Sequence, residues 1–211
     1  MKFSLVLMFA AALSLRAGNF PEPAQDIPAS SQQGKETLVL AGGCFWGIEG
    51  VFEKVKGVED VVSGFAGGEK KTAHYDTVSE GNTGHAESVK ITYDPAKISF
   101  GQLLMVYFSV AHDPTELNRQ GPDTGTQYRS AIFYSNDDQK RVADAYIHQL
   151  DEAHVFSKPI VTQVVPLKGF YPAEGYHQHF LQNHPDYPYI VYNDLPKLAA
   201  LKKQYPQLCK R

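Results

Sequence analysis

The chain has 211 residues, 43% of them hydrophobic and 20% charged, which is the composition of a globular protein with enough length to build a core without disulfide staples. A formal net charge of −3 and a pI near 6.2 exclude the basic footprint that nucleic acid or an anionic membrane surface requires. There is no internal repeat or low-complexity tract, and the two cysteines are available for chemistry.

Residues 1–17 open with Lys2, continue through thirteen residues, Phe3 to Leu15, that are apolar but for two serines, and end in Arg16-Ala17. Charge, short hydrophobic block and small-residue exit form the pattern of a secretory signal, and the block is too short to span a membrane. The expectation is export to a periplasmic or extracellular compartment, with no stable membrane insertion. Residues 18–34 hold Pro21, Pro23 and Pro28 among Ser, Gln and Ala, which reads as a linker, so the folded domain is expected over 35–211.

Thr37 to Ala41 is a short apolar run suited to a buried strand. Gly42-Gly43 breaks it. Phe45, Ile48, Val51, Phe52 and Val55 then fall on one face of a helix, which places Cys44 at a strand–turn–helix junction. Val58 to Phe65 reads as a strand. Glu87 to Tyr93 alternates, with Val89, Ile91 and Tyr93 on one face, and Glu87 shares that apolar parity. Ser99 and Gln102 make a capping box for a helix from Phe100 to Val110. A polar loop spans 113–125. Tyr128 to Tyr134 reads as a strand, Asp137 to Glu152 as an amphipathic helix, Ile160 to Pro166 as a strand and Leu195 to Gln204 as a final helix before a tail carrying Cys209. Strands and helices intersperse with no internal linker, which predicts one α/β domain.

Cys44 at a helix N-terminus meets unpaired N–H groups and the positive dipole end, both of which favour thiolate, the nucleophilic form; the alternative is a small buried hydrophobe. Glu87 on an apolar strand face should hold its proton and act as a general acid, unless the strand lies at an edge or Arg129 neutralises it. Cys209, near the chain end, either swings to an oxidised Cys44 or forms a structural disulfide with it. His85 and His177 are candidate bases. His177, His179 and His184 match no zinc spacing, so no metal is expected.

Beyond these single residues, Gly42-Gly-Cys-Phe-Trp-Gly47 resembles the active-site signature of the A-type peptide methionine sulfoxide reductases. Tyr75, Thr83-Gly-His-Ala-Glu87, the run from Leu117 through Asp123 and Tyr128 to Ser130, and Glu174-Gly-Tyr-His-Gln178 follow in the family's order and spacing. The resemblance covers Thr37 to Asp194. It implies a two-layer α/β (α+β) sandwich, with a mixed sheet flanked by helices and an irregular C-terminal tail. It implies reduction of methionine S-sulfoxide, free or in oxidised proteins, as part of repair after oxidative stress.

By the same resemblance Cys44 is the nucleophile, Glu87 the acid, and Tyr75 and Tyr128 donors to the sulfoxide oxygen. Phe45 and Trp46 wall the pocket for the substrate methyl group, and Asp123 positions the substrate backbone. Attack turns Cys44 into a sulfenic acid, and Cys209 is the resolving cysteine. No bound cofactor is implied; an external dithiol, thioredoxin or thioredoxin-like, restores the enzyme, and the default state is a monomer. The sequence departs from the family in two places. Its tail has a single candidate recycling cysteine, leaving direct attack by an external thiol open, and Pro122 stands where Asn is frequent. Export adds a requirement, since an oxidising compartment lacks cytosolic thioredoxin and needs a membrane-linked donor. Two rival readings are a cysteine hydrolase using His85 or His177, and an exported binding module stapled by Cys44–Cys209.

Overall fold

The computed structural model describes residues 20–28 and 34–210; the signal-like residues 1–17 lie outside them. Among the described residues, no helix is long and apolar enough to cross a membrane.

β1 (Glu36–Ala41) is buried on both faces because its apolar residues are consecutive. Leu38 and Leu40 enter the main core, while Val39 and Ala41 enter a smaller cluster on the sheet's other side. α1 (Phe45–Glu53) follows at once, then β2 (Val58–Ala66), α2 (Tyr75–Ser79) and β3 (Ala86–Tyr93). β3 lies between β1 and β2, antiparallel to both, with Leu38 opposite Ile91 and Phe65 opposite Glu87. Glu87 is therefore on a central strand, which removes the edge-strand alternative.

α3 (Phe100–Val106) starts at the expected capping box, Ser99 with Gln102, and runs into a π-helical turn, Tyr107–Ala111. A two-stranded ribbon, β4 (Arg119–Gln120) and β5 (Asp123–Thr124), precedes β6 (Ala131–Tyr134), α4 (Asp137–Glu152), β7 (Gln163–Pro166) and β8 (Phe170–Pro172). Among the described residues the main sheet has six strands in the order β7-β6-β1-β3-β2-β8, and only β6–β7 is parallel. α5 (Phe180–Asn183) and α6 (Leu195–Gln204) close the fold. This is the mixed sheet with helices that the sequence implied, in a single domain.

Three boundaries differ from the sequence reading, the first being β7, which begins at Gln163 rather than Ile160. Tyr128 is not in a strand: it ends a 3-10 turn, Thr126–Tyr128, and β6 begins only at Ala131. The segment read as linker is docked over Phe20 to Pro28. The Tyr146 hydroxyl donates to Pro21 O at 2.6 Å, Gln149 bonds Glu22 and Ala24, Asp26 accepts from Gly101 N at 2.9 Å, and Ile27 is buried. Prolines there remove N–H groups that would need partners, and the carbonyls of Pro21 and Glu22 are satisfied by α4 side chains.

Candidate active site

The turn between β1 and α1 sits on a buried polar network. Tyr107 donates to Ala41 O at 2.6 Å, and the His112 ring bonds Tyr107 O and the Ser130 hydroxyl. Burial pushes His112 down to about 3, so the imidazole is neutral here. Gly43 has φ of +96°, and a Cβ on it would lie 2.6 Å from the Gln120 side chain. Only glycine allows both that backbone and that approach.

Cys44 is the N-cap of α1, and its thiol is buried. Burial first, then the carboxyl groups of Glu87 and Asp194, push its pKa well above the ordinary thiol value, against the smaller opposing pull of the Trp46 N–H. The expected thiolate is thus corrected: the resting group is a thiol. A helix terminus stabilises an anion only within its first turn, and desolvation with adjacent acids outweighs it.

Glu87 is 2% exposed, and its Oε2 accepts from Phe45 N at 3.1 Å. Burial is the main cause that pushes it up to about 8, with Asp123 adding to the rise and the Phe45 N–H opposing it. It holds a proton at neutral pH. Arg129 does not reach it; that guanidinium donates to the carbonyls of Gly84, His85 and Thr126.

Tyr75 and Tyr128 are both half-buried beside this pair. Tyr75 is pushed up to about 12 by burial, then by Glu87 and Cys44. Tyr128 is raised by burial, then by Glu87, Asp123, Tyr75 and Cys44. Both remain O–H donors. Phe45 is fully buried, and Trp46 stacks on Phe180 with centroids 3.8 Å apart. Asp123, on β5, accepts from the Tyr189 hydroxyl. The fold therefore collects Cys44, Glu87, Tyr75, Tyr128, Phe45, Trp46 and Asp123 in one place, from positions spread over 85 residues of chain.

The candidate bases fare differently. His85 Nδ1 accepts from Gly68 N, and its Nε2 lies 3.0 Å from Glu69 O. His177 Nδ1 accepts from Trp46 Nε1 at 3.2 Å, its ring packs on Tyr75, and burial lowers its pKa. Each serves packing, so the hydrolase reading lacks a base.

Residues 36–208 match the sequence profile described as Peptide methionine sulfoxide reductase. The chain belongs to that family. It is 63% identical over 175 residues to Peptide methionine sulfoxide reductase MsrA 2 of Mesorhizobium japonicum, covering 83% of this chain and 90% of the relative. It is 54% identical over 187 residues to the protein of the same description from Synechocystis, covering 88% and 87%. Among solved structures, reduced Mxr1 of Saccharomyces cerevisiae aligns with a TM-score of 0.65 at 33% identity, covering 72% of this chain and 87% of that one. Methionine sulfoxide reductase A of Corynebacterium diphtheriae aligns at 0.64 and 37%, covering 73% and 77%. This reductase is an oxidoreductase, and its reaction is the reduction of methionine sulfoxide.

Two features of the reductase's site were not visible in its sequence. A cavity of about 190 Å³ lies against Cys44, lined also by Gln120, Pro122, Tyr189, Tyr192 and Lys197. Asp194, fully buried, accepts from Lys197 Nζ at 3.0 Å under the start of α1. The available signal was Gly47, a poor helix residue in the first turn. A Cβ at Gly47 would lie 2.0 Å from Asp194 Oδ1. Gly47→Ala is expected to destabilise the fold by about 2 kcal/mol despite its better helix propensity, because Asp194 and Lys197 must shift. Urea midpoints of the two proteins check this.

Cys209 is not with the others. Both cysteines are free thiols, and Cys209 bridges Val55 beyond the C-terminal end of α1, while Cys44 caps its N-terminal end. Eleven residues at helical rise separate them by about 16 Å, whereas a disulfide needs Cα atoms within about 7 Å. The permanent-staple reading fails on that distance.

Proposed function

We propose that this reductase acts on the S epimer of methionine sulfoxide, in proteins or free, with Cys44 as nucleophile and Glu87 as acid. The observation that carries the proposal is the pairing of a buried, protonated Glu87 carboxyl with a buried, protonated Cys44 thiol at one helix start. A neutral sulfoxide meets two reacting groups that are both uncharged. Glu87 gives its proton to the sulfoxide oxygen, which makes the sulfur electrophilic. The positive charge formed there lowers the Cys44 pKa by proximity, and the thiol proton passes to the Glu87 carboxylate. Cys44 sulfur bonds to the substrate sulfur, and the OH then passes from that sulfur to Cys44 as the S–S bond breaks. Methionine and a Cys44 sulfenic acid result, with no net proton released.

Tyr75 and Tyr128 donate to the oxygen as charge moves onto it. Phe45 and Trp46 bound the methyl group, and Asp123, held by Tyr189, orients the backbone of the substrate. A chiral sulfur fixed by methyl group, oxygen donors and backbone admits one epimer. Cys209 then condenses with the sulfenic acid, releasing water, and a thioredoxin-like dithiol reduces the disulfide by exchange. The signal-like residues 1–17 support export, in which case the dithiol donor is membrane-linked; N-terminal sequencing of the mature protein tests that reading, and an intact Met1 removes it.

The test of the main proposal supplies the two separated epimers of a methionine sulfoxide peptide with dithiothreitol. Consumption of the S epimer alone is expected. Equal consumption of both, or of the R epimer alone, overturns the pocket assignment.

A further inference from the structure

The three clustered histidines of the sequence are separated by the fold. His177 goes to Trp46 and His184 packs on Phe180, while His179 reaches two glutamates of α1. Glu49 and Glu53 stand one turn apart on that helix, so they share a face. One ligand atom from each of Glu49, Glu53 and His179 lies within 4.8 Å of the other two. His179 Nδ1 is 2.5 Å from Glu53 Oε1, and Gln182 Nε2 donates to Glu53 Oε2 at 2.6 Å.

Glu49 is the anomaly in this cluster. It is 0% exposed, and neither carboxyl oxygen makes a hydrogen bond of normal geometry. The His179 amide and the Ser63 hydroxyl come near enough to ease its ionisation, but burial dominates and pushes it up to about 7. A buried carboxyl with both oxygens unsatisfied is expensive, and a cation shared with Glu53 and His179 would satisfy it. None of these three residues has a part in the sulfoxide chemistry.

We propose that Glu49, Glu53 and His179 bind a divalent transition-metal cation of the Zn²⁺ class. One imidazole nitrogen with two carboxylates suits such an ion better than Ca²⁺ or Mg²⁺, which take oxygen ligands in larger number. Tetrahedral bonds of 2.0–2.2 Å place ligand atoms about 3.4 Å apart, so His179 and Glu53 separate by on the order of 1 Å while ligand atoms up to 4.8 Å apart close by about as much. Water completes the coordination from an adjoining cavity of about 150 Å³ lined by Glu53, Glu59, Asp60, His179, Gln182 and Lys210. Among the described residues Lys210 is the one Lys or Arg side chain lining it. Glu59 is paired with Lys35, and Glu53 and Asp60 keep the balance negative. Gln182 stays as an outer partner that orients Glu53.

The bound ion would clamp α1 to the residue preceding Phe180, whose ring stacks on Trp46. Its role is to brace one wall of the substrate pocket, away from the reacting atoms.

The test uses the full chain with Cys44→Ser and Cys209→Ser, so that thiols cannot bind the ion, titrated with Zn²⁺ by calorimetry after chelator treatment. One equivalent is expected, together with a parallel change in the fluorescence of Trp46, the sole tryptophan. Co²⁺ should give a visible spectrum without a sulfur charge-transfer band. Glu49→Gln, Glu53→Gln and His179→Gln should each weaken binding at least tenfold, in the range known for losing metal-site partners. His148→Gln, at the exposed His148–Glu152 pair, should leave it unchanged. Absence of saturable binding, or an equivalent that survives His179→Gln, overturns the proposal. His179 is exposed, so its variant remains decisive even if the buried Glu49→Gln fails to fold.

Discussion

Glu87→Gln is expected to lower the rate of methionine formation with dithiothreitol by two to four orders of magnitude, the range supplied by a positioned general acid. Gln keeps the shape and can accept from Phe45 N, but it has no proton to give the sulfoxide oxygen. In wild type the rate should fall as pH rises through about 8, where Glu87 ionises. That limb should vanish in the variant, and Cys44→Ser should show no turnover at any pH.

The same substitution has a stability consequence of opposite sense. The unfolded chain releases the Glu87 proton near the ordinary carboxyl value of 4.5, while the folded protein keeps it to about 8. Between those values the unfolded state binds fewer protons, so this group's contribution to stability is lost as pH rises. Glu87→Gln escapes that loss. Its stability relative to wild type should grow by on the order of 4 kcal/mol between pH 4.5 and 9, read from urea midpoints across pH. A variant that is less active and not more stable at high pH would mean that Glu87 is ionised in the fold. A variant as active as wild type would remove the acid role altogether.

Cys209→Ser should separate one turnover from many. With a thioredoxin-type protein as sole reductant, the variant is expected to release about one methionine per chain and then stall, while dithiothreitol sustains it. The structure adds a condition for the wild-type cycle. The tail is fastened to the end of α1 by Lys56 N to Leu208 O and Lys210 N to Lys54 O, both at 2.7 Å, and Cys209 Sγ lies 3.4 Å from Tyr205 O. Those bonds must open before Cys209 can approach Cys44. Amide exchange at Lys56 and Lys210 should therefore be faster in the oxidised protein than in the reduced one. Full turnover of Cys209→Ser with the protein donor would mean that the donor attacks the sulfenic acid directly.

The parts legible in the sequence are those set by neighbours in the chain. Period 2 put Glu87 on the apolar face of β3, where it is buried, and period 3.6 outlined α1 and α4 with their core faces. The Ser99–Gln102 box marked the start of α3 because both of its bonds are local. Linked motifs in order marked the family. Tyr128 misled for the same reason, because the aromatic and β-branched run that predicts a strand includes it, whereas in the fold it closes the 3-10 turn Thr126–Tyr128.

What the tertiary structure alone decided concerns charge and reach. A helix start taken by itself favours the Cys44 thiolate; Glu87 and Asp194, distant in sequence, together with burial, reverse that. The chain end of itself implies a free tail, yet pairing with Val55 fixes Cys209 at the wrong end of α1 for a disulfide. Prolines suggest a linker until Asp26 finds α3 and Pro21 and Glu22 find α4. Chain-local spacing records which side chains share a face. The state of a proton and the distance between two thiols depend on desolvation and through-space contacts, and these exist only once remote segments have packed together.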